Sequence, residues 1–161
     1  MKVILDTSPI CFLVLIGEIE ILPRLFAEVV APKAVLQELR HPKAPELVRE
    51  WALRPPSWLA VVEANTEITA KFDFLDPGES EAIALGIELR PSLVLLDDAV
   101  AREEALKQGL EISGLLGVLG EAGKKGLVDL GTSLLRLQET HFRVSPALIQ
   151  KILAQAEASP R

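Results

Sequence analysis

Two apolar runs in this 161-residue chain end on acids: "VILD", closing on Asp6, and "LVLLDD", closing on Asp97 and Asp98. Runs of this composition bounded by turn signals are expected to form buried strands. In open parallel sheets, ligands bind beyond the carboxyl ends of the strands, where the strand order reverses. Acids at two such tips stand where chemistry is usually done, and Asp6 could be the first ligand of a metal site. Each could also cap the helix that follows it, since Asp is a good N-cap.

Two glutamates join the candidates. In "AVLQELR" the helical period puts Val35 and Leu39 on one apolar face and Glu38 one turn beyond Val35, at the edge of that face. In "DPGESEAIALG", Asp76 and Glu79 have the spacing of a capping box, which gives Glu79 a structural role. Glu81 shares its side of the helix with Leu85 in an almost wholly apolar stretch. A carboxylate there is costly unless paired or held by a metal, so Glu81 is the candidate of the two.

Other chemistries lack their parts. "GLLGVLG" has neither the Lys nor the preceding strand of a phosphate loop. His41 and His141 are isolated, and Cys11 is the single cysteine, which excludes an intrachain disulfide and a cysteine zinc site. The longest unbroken apolar run, Ile10–Ile16, is far short of the roughly 20 residues of a membrane span. No basic region precedes an apolar signal core, so a cytoplasmic protein without a membrane partner is expected. The net charge of −6 is the wrong sign for a simple nucleic-acid binder.

The elements that must position these acids alternate. Strands are expected at Lys2–Leu5, Glu28–Ala31, Leu59–Glu63, within "SLVLLDD", and at Glu111–Ser113. Helices are expected from Ser8 to about Gly17, then over Ile19–Phe26, Lys33–Arg40, Ala44–Leu53, Asp76–Leu89 and Ala99–Gln108. Three more follow near Leu115–Lys125, Leu130–Phe142 and Pro146–Glu157. Short apolar strands alternating with helices make an α/β fold with a mostly parallel sheet of four or five strands. The length suits one domain over 1–161, with the helices from about 115 packed on it.

Taken together, "ILDTSPI", "AVLQELR", "DPGESEAIALG" and "VLLDDAVAREEA", in this order and spacing, resemble the PIN-domain family. "GLEISGLLGVLGEAGKKGLV" resembles a prokaryotic, toxin-like PIN subfamily whose members often accompany antitoxin-like genes. The resemblance implies a three-layer α/β/α fold with strand order 3-2-1-4-5, which makes strands 1 and 4 neighbours. It implies a divalent-metal-dependent endoribonuclease, the toxin of a type II toxin–antitoxin pair. The alternative is a catalytically inactive RNA-binding or regulatory module. By motif, Asp6, Glu38, Glu81 and Asp98 match the four acids, with Asp6, Glu81, Asp97 and Asp98 as metal ligands, and Ser8 matches the residue that supports the first acid. The third acid is Glu where Asp is frequent, and Asp97 beside Asp98 leaves the fourth open.

The implied cofactor is Mg²⁺ or Mn²⁺, hard cations that favour carboxylate oxygen. Without Asp6, Glu38, Glu81, Asp97 and Asp98 the charge of −6 becomes −1. Arg40, Lys43, Arg102 and Lys107 are then candidates to hold an RNA substrate, although Arg102 at helical spacing could simply pair with Asp98. An antitoxin partner and a homodimer are expected by resemblance.

Overall fold

In a computed structural model, residues 1–143 and 145–158 are described, the side chains of the final helix as far as Gln155. The strands are β1 (Lys2–Leu5), β2 (Glu28–Pro32), β3 (Leu59–Val62), β4 (Leu93–Leu95) and β5 (Glu111–Ser113). Between and after them run the helices α1 (Thr7–Leu15), α2 (Ile21–Leu25), α3 (Lys33–Leu39), α4 (Glu46–Leu53), α5 (Thr66–Thr69), α6 (Pro77–Glu88), α7 (Ala99–Lys107), α8 (Leu115–Lys124), α9 (Leu130–Gln138) and α10 (Pro146–Ala158).

The strands form a five-stranded sheet in the order β3-β2-β1-β4-β5, and every neighbouring pair is parallel. Alternation along the central strand divides the core in two. Val3 and Leu5 enter a cluster with Ile10, Leu13, Leu36 and Leu115, whereas Ile4 enters another with Ile83, Val94 and Leu110. Helices α1, α3 and α8 thus supply one outer layer, α6 and α7 the other, and the fold is three-layered α/β/α. Successive side chains of a strand face opposite ways, so both faces of β1 are buried and its sequence is apolar throughout. Among the described residues no helix is long and apolar enough to cross a membrane.

The order reverses between β1 and β4, whose register pairs Leu5 with Leu95. The residues just past those positions, Asp6 and Leu96–Asp98, emerge side by side at the carboxyl edge of the sheet. That edge is the crevice in which open α/β sheets hold their ligands.

Locally the structure differs from the expected elements, or adds to them, in these places. Helix α9 stops at Gln138, and Thr140 and His141 lie in a turn. Helix α4 begins at Glu46, because the 41–45 segment, broken by Pro42 and Pro45, is spent on a turn. A short helix, α5, and a 3₁₀ turn at Ala70–Phe72 fill the stretch before α6. Their signal is a single capping residue: the Asn65 side chain accepts from the Glu67 and Ile68 amides.

Packing of α6 on the sheet depends on Gly86. A Cβ there would lie 2.8 Å from Val94 Cγ2 and 3.0 Å from a Leu110 methyl carbon. Val94 is fully buried and has nowhere to move. Overfilling a packed core costs about 1–3 kcal/mol, against a gain of roughly 1 kcal/mol when Ala replaces Gly within a helix. Gly86→Ala is therefore expected to lower the urea unfolding midpoint; a raised midpoint would show a slack contact between α6 and β4.

Candidate active site

Asp6 sits one residue past β1, and its amide donates to the Leu95 carbonyl at 3.2 Å, so the ladder reaches the root of the acid. It occupies the N-cap position of α1 in extended conformation, yet its side chain makes no capping bond. Asp6 is 5% exposed, and its Oδ1 is buried with no hydrogen-bond partner. Burial, followed by the charges of Asp76, Glu38 and Asp97, pushes its pKa up to about 7, against the Thr7 amide, which works the other way. An isolated buried carboxylate with an orphaned oxygen is among the least favourable groups a fold can hold.

Glu38 reaches the site from α3 and is held by two donors. The Thr7 hydroxyl donates to its Oε1 at 2.9 Å and the Gly78 amide to its Oε2 at 2.7 Å. Gly78 must lack a side chain: a Cβ would fall 2.7 and 2.9 Å from the two Glu38 oxygens and 2.9 Å from Thr7 Oγ1. Burial raises the Glu38 pKa, as do the Asp76 and Glu81 charges, while the Thr7 and Gly78 bonds oppose them.

Asp97 is the member contributed by the tip of β4. Helix α8 begins at Gly114, which has no side chain to cap it, and Asp97 Oδ1 accepts from the Leu115 amide at 3.1 Å instead. Burial raises its pKa, opposed by the Leu115 amide and by Arg102. Arg102 donates to the Leu96 carbonyl at 2.8 Å, so it stands beside Asp97 rather than pairing with Asp98. Asp98 is exposed and caps α7, accepting from the Ala101 amide at 3.0 Å.

Glu79 and Glu81 of α6 differ in their partners. Half of the capping box forms, with the Asp76 side chain accepting from the Glu79 amide at 2.8 Å. The Glu79 side chain does not complete it. Glu79 is 7% exposed, and its Oε2 is buried without a partner. Burial, then Asp76, Asp6 and Asp98, push its pKa up to about 8. Glu81 instead accepts from the Ala34 amide at 3.1 Å, capping α3, whose own N-cap residue is Pro32. Its charge acts on Glu38, whereas the carboxylates that act on Asp6 are Asp76, Glu38 and Asp97.

Among the supporting residues, the hydroxyl bonded into the cluster belongs to Thr7, not Ser8. Arg40 is tied through Nε to the Ala52 carbonyl at 2.9 Å, Lys107 pairs with Glu103 at 3.7 Å, and Lys43 is exposed. The cluster also brings in Thr7 and Gly78, which no motif singles out, and Glu79, which the capping spacing assigned to structure. The signal available for Glu79 was the same as for Glu81, a charge in an apolar helix, and only the packing of α3 against α6 distinguishes them.

Among the described residues, no group of three or more His, Cys, Asp or Glu side chains is closed around one point tightly enough to hold an ion as it stands. The donor chemistry nevertheless fits a hard divalent cation: the acids converge, and two carboxylate oxygens, Asp6 Oδ1 and Glu79 Oε2, are buried and unpartnered.

The structure is thus an α/β/α sandwich whose parallel sheet carries acids at its switch point. A family model described as a PIN domain matches residues 2–158, and the chain belongs to that family. PIN domains are generally nucleases that use divalent metals. Neither the curated proteins nor the solved structures compared with the chain gave a match.

The raised pKa values fix a sign for pH dependence. Asp6 and Glu79 hold protons in the folded state up to about pH 7 and about pH 8, but release them near 3.8 and 4.5 when unfolded. Between these limits the folded state binds more protons, so their contribution is full below about pH 4 and is lost as pH rises to about 8. Asp6→Asn cannot ionise. In metal-free buffer its urea midpoint is expected to gain on the parent's from about pH 4 to about pH 7; a difference independent of pH would contradict the buried Asp6 carboxyl.

Proposed function

We propose that the chain is a divalent-metal-dependent endoribonuclease whose ion is held by Asp6, Glu38, Glu79 and Asp97. The observation that carries this reading is the pair of buried, unpartnered oxygens on Asp6 and Glu79, one from a strand tip and one from a helix. This ligand set exchanges Glu81 and Asp98, the motif matches, for Glu79 and Asp97. Asp97 and Glu38 are among the carboxylates whose charge acts on Asp6, and Glu81 and Asp98 are not. Mg²⁺ or Mn²⁺, when bound, lowers the pKa of a coordinated water and neutralises charge on the scissile phosphate.

The chain's own residues set the conditions for that chemistry. Thr7 and Gly78 fix both oxygens of Glu38, so it enters the site in one orientation. The Leu115 amide fixes Asp97 in the same way. Asp6 and Glu79, each with one oxygen left unpartnered, keep protons near neutral pH and release them when a cation replaces them. Binding of the cation is therefore tighter at higher pH. Arg40 and Lys43, at the end of α3 that bears Glu38, are exposed cations suited to the RNA backbone. The likeness of the 109–128 segment to toxin-like PIN proteins supports a toxin role, with an antitoxin partner and a homodimer.

Cleavage of a fluorescently labelled RNA with Mn²⁺ tests the assignment. Asp6→Asn and Glu79→Gln are expected to lose roughly a hundredfold or more in rate. Asp6→Asn should remain folded, because Asn keeps the size of the side chain, sheds a buried charge and has no capping bond to lose. Glu81→Gln, which weakens the cap on α3 without removing a cation ligand, should lose roughly tenfold or less. A Glu79→Gln variant as active as the parent, beside an inactive Glu81→Gln, would return the third position to Glu81.

A further inference from the structure

A cavity of about 550 Å³ opens beside the acid cluster, between the start of α3, the end of β3 and the first turns of α6. Its volume lies within the roughly 300–1,000 Å³ typical of ligand sites. The two sites share the same helix ends. Gln37, Pro77 and Ser80 line the cavity, and their chain neighbours Glu38, Gly78 and Glu79 belong to the acid site. A nucleic-acid strand with one phosphate at the acids therefore has a neighbouring nucleotide within reach of the cavity.

The lining combines apolar walls with acceptors. Ala64, Leu75 and Pro77 offer surface for a flat ring. Glu81 spends Oε1 on the Ala34 amide, which leaves its other oxygen free to accept. Asp73, also in the lining, is exposed, and no donor to it is found among the described residues. Lys33, the cation of the lining, is engaged by Glu63 at 3.2 Å. Such a pocket suits an edge rich in N–H groups and repels one rich in carbonyl oxygens.

We infer that this cavity is a base-recognition subsite that takes a guanine of the RNA strand next to the scissile phosphate. Unstacked bases of single-stranded RNA are commonly read on their Watson–Crick edges. Guanine presents N1–H and the 2-amino group side by side, a match for one carboxylate, and the Gln37 amide can donate to its O6. Uracil places carbonyl oxygens on both sides of its single N–H and meets the carboxylates unfavourably. Asp73 and Glu81 are thus specificity-determining residues, and this role rests on the ribonuclease reading above.

Two measurements on the full chain separate this inference from that reading. The first is a metal-free ¹H–¹⁵N NMR titration with guanosine 5′-monophosphate and with uridine 5′-monophosphate. The guanine nucleotide should move the Ala34, Ala64 and Ser80 amides saturably, with Kd roughly tenfold or more below that of the uracil nucleotide. Asp73→Asn, an exposed substitution that spares the fold, should shrink that ratio, and Ala64→Trp, which fills the cavity, should abolish binding. Equal affinities, or shifts confined to other amides, overturn the inference. The second is Mn²⁺-dependent cleavage of oligoribonucleotides carrying guanine or uracil beside the cut. A preference for guanine that Asp73→Asn reduces supports the subsite. Cleavage indifferent to the flanking base overturns the subsite and leaves the nuclease standing. Absence of all cleavage removes the nuclease reading, and the titration alone then decides whether the cavity binds guanine.

Discussion

Like charges gathered out of water repel each other and lose their hydration, and this constraint shapes the carboxyl edge of the sheet. Asp6 is the centre of it, buried at the tip of the central strand with one oxygen unpartnered. The fold tolerates its acidic neighbours by giving several of them a donor. Glu38 receives a hydroxyl and an amide, Asp97 an amide, and Asp76 an amide. Donors of this kind stabilise ionised carboxylates and oppose the cost of burial. Asp6 and Glu79 are the exceptions, and protons serve them in the absence of a cation.

The same bonds hold the two outer layers in register. Glu81 of α6 accepts from the second amide of α3, and Glu38 of α3 accepts from the first amide of α6, that of Gly78 after Pro77. Each helix thus caps the other, which satisfies orphan amides where Pro32 cannot supply a side-chain cap to α3. Because α3 leans on one face of the sheet and α6 on the other, this reciprocal capping closes the gap between layers at the edge where Asp6 emerges. Gly78 permits the close approach, and any side chain there would displace Glu38. Asp97 does for α8 what Glu81 does for α3, so several acids contribute to architecture and electrostatics together.

Much of the architecture was legible in the sequence. The apolar runs ending on Asp6 and on Asp97-Asp98 mark β1 and β4 because both strands are buried on both faces, and burial leaves an unbroken apolar pattern. The order of strands came from resemblance rather than periodicity, since nothing in a strand's own residues names its neighbours. The site was legible in part. Asp6 and Glu38 carry signals of position, at a strand tip and at the rim of an apolar face. Glu79 and Glu81 carry the same local signal, and a long-range bond to the Ala34 amide separates them. Asp97 and Asp98 likewise differ only through the distant Leu115 amide, which draws one of them inward. Contacts between residues far apart in the chain are the part that local spacing cannot carry.

Asp6, Glu38, Glu79 and Asp97 are proposed to form one cation site. Anomalous diffraction from crystals grown with Mn²⁺ tests it most directly, because the ion locates itself without reference to activity. An anomalous peak is expected beyond the carboxyl ends of β1 and β4, within coordination distance of Asp6 and Glu79. A peak held by Glu81 or Asp98 without Asp6, or no peak at that edge at saturating Mn²⁺, would contradict it.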